Sequence, residues 1–114
     1  MNWAIVNGET ETGVTTMFIE PTLDTGPMLL QRKTEIGATE TAPALMQRLS
    51  EIGAGLLSET LARLDELTPR PQHDRDATFA PVLKKEDGLI DWSMNAAAIE
   101  RRVRGFQPWP NAYP

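Results

Sequence analysis

Glu11-Thr12-Gly13-Val14-Thr15-Thr16-Met17 and, a little further on, Leu23-Asp24-Thr25-Gly26-Pro27-Met28-Leu29-Leu30 decide how the rest of the chain is read. Val, Thr, Met, Phe and Ile favour an extended, half-buried backbone, so the first block predicts a strand over residues 13–19. Pro21 has no N–H to give a ladder, and Glu20-Pro21 ends that run. Asp24-Thr25-Gly26-Pro27 is turn chemistry: a carboxylate acceptor, a glycine free to take positive φ and a proline of fixed φ. The extended pattern resumes over 28–36, where Arg32, Lys33 and Glu35 point to a solvated far end. Both segments read as strands built for the interior of a parallel sheet. Asp24 sits in the bend between them, expected to be held so that its carboxylate orients and does not swing. On spacing alone, an Asp before Thr-Gly-Pro is a turn former.

Outward from this block, residues 2–7 read as the tail of a helix, with Gly8 suited to the left-handed position after its last turn. On the other side, Thr39-Glu40-Thr41-Ala42-Pro43 offers threonine caps and a proline tolerated in a first helical turn. Leu45, Leu49, Ile52 and Leu56 then recur at helical spacing, with Met46, Gly53, Leu57, Leu61 and Leu64 beside them as one wide apolar stripe. Arg48, Glu51, Glu59, Arg63 and Asp65 fall mainly on the opposite side. Gly53 and Gly55 weaken this helix by roughly 1 kcal/mol each relative to Ala, which suggests close approach to the sheet. The polar face is not rich in basic residues, unlike that of a membrane-surface helix.

Residues 69–92 read as a linker: prolines and charge without periodicity, then a solvated turn at Lys84-Lys85-Glu86-Asp87-Gly88. His73 falls in this stretch and reads as an exposed loop residue. Ser93 is placed to cap a last helix whose buried stripe is Ala96, Ile99, Val103 and Phe106. Arg101, Arg102 and Arg104 project from its other faces, either as a solvated face or as a local phosphate contact. Gln107-Pro108-Trp109-Pro110 stops the helix. The organisation is therefore 1–68, 69–92 as linker, and 93–114 as the start of a second domain.

The chain has 114 residues and a formal net charge of −5, which argues against nucleic-acid binding through bulk charge but leaves room for a local basic patch. There is no cysteine and one histidine, so neither a disulfide framework nor a thiolate or histidine metal cluster is expected. No apolar run approaches the roughly 20 residues needed to span a bilayer. Residues 1–7 lack the basic and apolar regions of a secretory signal, which fits a cytoplasmic protein.

Glu-Thr-Gly-Val-Thr, Leu-Asp-Thr-Gly-Pro-Met-Leu, Ile-Asp-Trp-Ser and Phe-Gln-Pro-Trp-Pro occur here in one order, and that series resembles the methionyl-tRNA formyltransferase family of folate-dependent formyltransferases. The resemblance runs over essentially the whole chain. It implies an α/β fold: the C-terminal part of a Rossmann-like formyltransferase domain (strand-loop-strand plus long helix), a linker, and the first helix of a truncated, barrel-like C-terminal domain. It implies transfer of a formyl group from 10-formyltetrahydrofolate to the amino group of methionyl initiator tRNA, with no metal, in an enzyme that is monomeric when full length. Asp24 matches the family's catalytic acid. Leu23, Asp24, Thr25 and Gly26 match the loop that meets folate. Arg101, Arg102 and Arg104 lie in the region that helps hold tRNA.

The family's catalytic set also holds an Asn and a His, followed by a Ser-Leu-Leu-Pro segment, all ahead of the Asp. Asn2 and Asn7 are not in that motif, and His73 lies after Asp24. The chain is therefore expected to be an internal fragment, inactive in isolation, since cooperating catalytic groups fail together. Two alternatives share parts of the pattern. One is a sugar-nucleotide or other folate-dependent N-formyltransferase, and the other is a non-catalytic module derived from this scaffold.

Overall fold

A computed structural model describes all residues from Met1 to Pro114. The elements are α1 (Asn2–Val6), β1 (Glu11–Met17), β2 (Met28–Glu35), α2 (Ala42–Ala62) and α3 (Ala96–Gly105), with short 3-10 turns at Leu64–Glu66, Asp74–Asp76 and Lys85–Gly88. They divide into two compact units that are not consecutive in sequence. The first comprises Met1–Thr12, Thr34–Arg48 and Ala80–Pro114; the second comprises Gly13–Lys33 and Leu49–Phe79.

The two strands pair with each other and with no third strand. Ile36 donates to the Thr10 carbonyl and Phe18 to the Pro27 carbonyl, so the partner number falls as the chain advances. The pair is therefore antiparallel, a correction to the expected parallel-sheet interior. β1 begins two residues earlier than predicted and ends at Met17, not at Ile19. After Phe18 bonds Pro27, the chain leaves the ladder, and Ile19 is 93% exposed despite its strand propensity. Propensity is overridden once no partner lies alongside.

In the second unit, α2 lies over this sheet. A Cβ built at Gly53 would stand 3.5 Å from Val14 Cγ1, an ordinary van der Waals contact, so the helix faces the sheet here at a distance that does not require glycine. Nothing lies within 4 Å of such an atom at Gly55, which gains no contact in return for its low helix propensity. Leu29 and Leu56 are buried there, together with Thr60, which is 2% exposed. Thr60 donates to the Leu56 carbonyl at 2.7 Å, leaving its oxygen to accept from Thr16 at 2.8 Å. The Leu30 N–H satisfies the Thr16 oxygen in turn at 3.1 Å. Every polar atom of this threonine pair is thereby used, which is what burial demands. The wide apolar stripe predicted on α2 is narrower in the structure: Met46, Leu57, Leu61 and Leu64 are exposed.

The first unit is built on α1 and α3. Phe106 is fully buried and meets the Trp3 ring edge-to-face, with centroids 5.5 Å apart. Ile5, Val6, Ala42 and Leu45 complete the core. Asn2 donates to the Gly105 carbonyl at 2.7 Å, and a Cβ at Gly105 would fall 2.6 Å from Val6 Cγ2. Glycine is thus required where the two helices touch. Gly8 takes φ +76° after α1, as its position predicts.

α3 departs from expectation in two respects. Its N-cap is Asn95, whose side chain accepts from Ala98 N–H at 2.8 Å. Ser93 instead donates through both its hydroxyl and its N–H to Asp91. Those two bonds, the hydroxyl first, hold the Asp91 carboxyl below its usual range against a small desolvation effect. Of the expected buried stripe, Phe106 is buried and Ile99 half-buried, whereas Ala96 and Val103 are exposed. Arg101, Arg102 and Arg104 are half-buried in their place. The face that packs is the one whose guanidinium groups find carbonyl oxygens.

Candidate functional site

Phe18–Pro27 pairing closes the base of the loop that carries Asp24. Asp24 itself takes φ +55°, the left-handed region, which Asp tolerates better than most residues. Gly26 is buried behind it, and a Cβ there would stand 1.7 Å from the Phe18 carbonyl oxygen. Only glycine fits under this turn. The Thr22 and Thr25 hydroxyls bond each other across the loop.

The segment read as a linker grips this loop. Met28 and Arg70 exchange backbone hydrogen bonds in both directions, at 2.7 and 2.8 Å. Two residues on, Gln72 Nε2 donates to the Asp24 carbonyl at 2.9 Å and to the Gly26 carbonyl at 2.8 Å. Sequence reasoning did not select Gln72. Its composition context, Pro71 before it and His73-Asp74 after, signals only an exposed loop. His73 is indeed exposed, ahead of the 3-10 turn Asp74–Asp76.

The turn is fixed at its base and open at its tip. Leu23 is 91% exposed, and Asp24 and Thr25 are exposed beside it. The expectation of a carboxylate clasped between buried strands is thereby corrected. The backbone of Asp24 is pinned, and its side chain stands in solvent. Two hollows lie in the first unit. One, of about 160 Å³, is lined by Ile5, Gly8, Glu9, Ile36, Arg101 and Arg104 among others. A broad open one of about 620 Å³ runs along Thr34, Glu35, Gly37, Thr39, Glu40 and Arg48.

The structure brings Leu23, Asp24, Thr25 and Gly26 together on one turn. The three arginines of α3 are engaged within the first unit. Arg101 donates to the Val6 carbonyl at 3.3 Å, Arg102 to that of Asp87 at 3.1 Å and Arg104 to that of Glu40 at 2.9 Å. Arg102 also lies 5.5 Å from the Phe106 ring centre, and Arg104 pairs with Glu100. Glu40 has a stronger partner in Arg48, at 2.7 and 2.8 Å, and accepts Gly37 N–H at 3.1 Å. The Arg48 contact, outweighing desolvation, pulls the Glu40 carboxyl down to about 2. The same contact raises the Arg48 guanidinium above its ordinary value. This pair ties the start of α2 to the end of β2, since Arg48 also bonds Thr34 and the Glu35 carbonyl.

Residues 1–61, which include the whole Asp24 turn, match the profile of the family described as formyl transferase. The chain belongs to the formyl transferase family. Residues 82–114 match the formyl transferase C-terminal domain. The chain is 57% identical to the methionyl-tRNA formyltransferase of Citrifermentans bemidjiense over 99% of its own length and 36% of that protein's. Against the methionyl-tRNA formyltransferase of Solibacter usitatus it is 59% identical over 98% of its length and 37% of the relative's. The chain thus spans a little over a third of the curated relatives it matches. Among solved structures it is similar to the Helicobacter canadensis N-formyltransferase in complex with folinic acid and dTDP-3-aminofucose. The TM-score is 0.82 at 22% identity, over 90% of this chain and 39% of that one. It is also similar to Aquifex aeolicus HypX in complex with tetrahydrofolic acid, with TM-score 0.80 at 22% identity, over 97% and 20%. The α/β fold, with paired strands, a long helix and the opening helix of a C-terminal region, is therefore that of part of a formyltransferase. No helix is long and apolar enough to cross a membrane.

Proposed function

We propose that this chain is part of a methionyl-tRNA formyltransferase that moves the formyl group of 10-formyltetrahydrofolate onto the amino group of methionyl initiator tRNA. The observation that carries the reading is 57–59% identity to curated enzymes of that name along nearly the whole chain. The pinned turn around Asp24 agrees with it. The divisions 1–68, 69–92 and 93–114 follow from the same reading. So do a cytoplasmic setting and a monomeric full-length enzyme.

Leu23 and Thr25 are exposed beside Asp24, so the outer edge of the turn is open to solvent. That edge fits a flat heterocycle carrying donors and acceptors. Bound there, the folate supplies the formyl carbon. Asp24 contributes a carboxylate, carried on a backbone held by the turn, that accepts a hydrogen bond from an imidazole or an ordered water and orients it. The reaction needs such control because the attacking amine must be neutral and the departing folate nitrogen must receive a proton. Arg101, Arg102 and Arg104 remain candidate tRNA contacts. Their internal bonds leave only part of each guanidinium edge for phosphate.

The test is formylation by the complete product of the gene, assayed in parallel on methionyl initiator tRNA and on amino-sugar nucleotides. Transfer to the tRNA, abolished by Asp24→Asn, supports the reading. Transfer to the amino sugar alone replaces it with the sugar-nucleotide alternative. The 114-residue chain assayed by itself is expected to give near-background transfer.

A further inference from the structure

We propose that Gln72 is a positioning residue for the Asp24 turn, so that the segment following the α/β region sets the aim of the acid. The inference rests on the catalytic reading of Asp24. Gln72 Nε2 meets two carbonyl oxygens, of Asp24 and Gly26, at 2.9 and 2.8 Å. Both are acceptors, so only the amide NH₂ end faces them, and one group uses both its protons on alternate residues of one turn. The bond brackets the backbone on either side of Thr25. Bracing helps this position, because Asp24 sits at φ +55°, a left-handed conformation that costs a residue with a Cβ some free energy even though Asp tolerates it.

Gln72 is itself held in place. Two residues earlier, Arg70 exchanges both backbone bonds with Met28, the first residue of β2. Residues 70–72 thus form a short strap on the outer edge of β2, reaching from the strand to the turn. The tip beyond, at Leu23, is 91% exposed. A catalytic carboxylate on an open tip depends on its backbone for direction, and misplacement by about 1 Å is enough to lower a rate by roughly a hundredfold.

The experiment uses the complete gene product with Gln72→Leu, Gln72→Glu and, as reference, Asp24→Asn. Two readouts are taken: amide hydrogen exchange over residues 18–28, and kcat and KM for formylation of methionyl initiator tRNA. In Gln72→Leu, exchange in the turn is expected to accelerate roughly tenfold, in line with the loss of two ordinary hydrogen bonds. kcat is expected to fall by about 10- to 100-fold, with KM for the tRNA little changed. Gln72→Glu provides a readout that a merely structural role does not move. Ionised, it sets a carboxylate against two carbonyl oxygens; protonated, it donates one hydrogen bond. Its kcat relative to the parent should therefore recover as pH falls.

Unchanged exchange in Gln72→Leu overturns the proposal. So does faster exchange with undiminished kcat where Asp24→Asn abolishes transfer, because the strap then does not serve the acid. Full transfer in Asp24→Asn overturns the catalytic reading itself. In that event the exchange rates alone decide whether Gln72 holds the turn.

Discussion

Phe106 and Asp24 each belong to a sequence block that points to the family, and they have opposite fates. Phe106 is fully buried against Trp3, where α1 and α3 meet. Asp24 lies on a turn whose backbone is tied down while its side chain faces water. The contrast separates two kinds of constraint on a sequence. An aromatic residue in a core is held by the area it buries and the shape it fills. An acid at a bend is held through its carbonyl neighbours, and its own carboxylate adds nothing to the fold.

That contrast breaks if the two residues turn out to matter equally for stability. Phe106→Ala should lower unfolding free energy by about 3–5 kcal/mol, the usual effect of emptying an aromatic core site. Urea titration followed by tryptophan fluorescence reads this directly, because Trp3, Trp92 and Trp109 all lie in the unit that contains Phe106. Asp24→Asn in the same titration should remain within about 0.5 kcal/mol of the parent. The second unit has its own fixed point beneath the turn. Gly26→Ala sets a Cβ 1.7 Å from the backbone oxygen of Phe18, and a backbone atom cannot step aside. A loss of about 1–3 kcal/mol is expected, seen as faster hydrogen exchange over residues 18–28. Exchange confined to the parent rate would show that the loop accommodates a side chain and is not pinned.

The smallest effect concerns charge. Glu40 has its folded-state value near 2 against an ordinary 4.5, because Arg48 bonds it. A depressed carboxyl contributes stability that is complete above about pH 4.5 and is lost as pH falls toward 2. Glu40→Gln should therefore be less stable than the parent at neutral pH, and the difference should close on acidification through that window. Urea midpoints at pH 6 and below pH 3 measure it. A difference that stays constant with pH would assign the effect to packing.

How much of this was legible follows from where each signal resides. The α2 stripe Leu45, Leu49, Ile52, Leu56 is written in helical spacing and is the face that packs. Its apparent extension through Leu57 and Leu61 is not, since each of those residues is more than half exposed. Periodicity says which residues share a face, and burial further depends on what lies opposite. In α3 the same rule misled: Ala96 and Val103 are exposed, while Arg101 and Arg104 turn toward carbonyl oxygens of Val6 and Glu40. Those acceptors are distant in the chain, so nothing local announces them. Ser93 and Asn95 are both acceptable caps by type, and the register of the first turn chose Asn95.

The amino-acid sequence by itself determined the strand-turn-strand, the two main helices, the family motifs and the placing of Asp24 at a bend. Each of these rests on backbone preference or spacing within a few residues. Only the tertiary structure decided that the strands pair antiparallel, that Gly105 is the contact between α1 and α3, and that Gln72 braces the Asp24 turn from a stretch that reads as a linker. The reason is physical: a hydrogen bond across dozens of residues leaves no imprint on local composition, because any exposed amide is suited to make it and the fold alone brings its acceptors within reach.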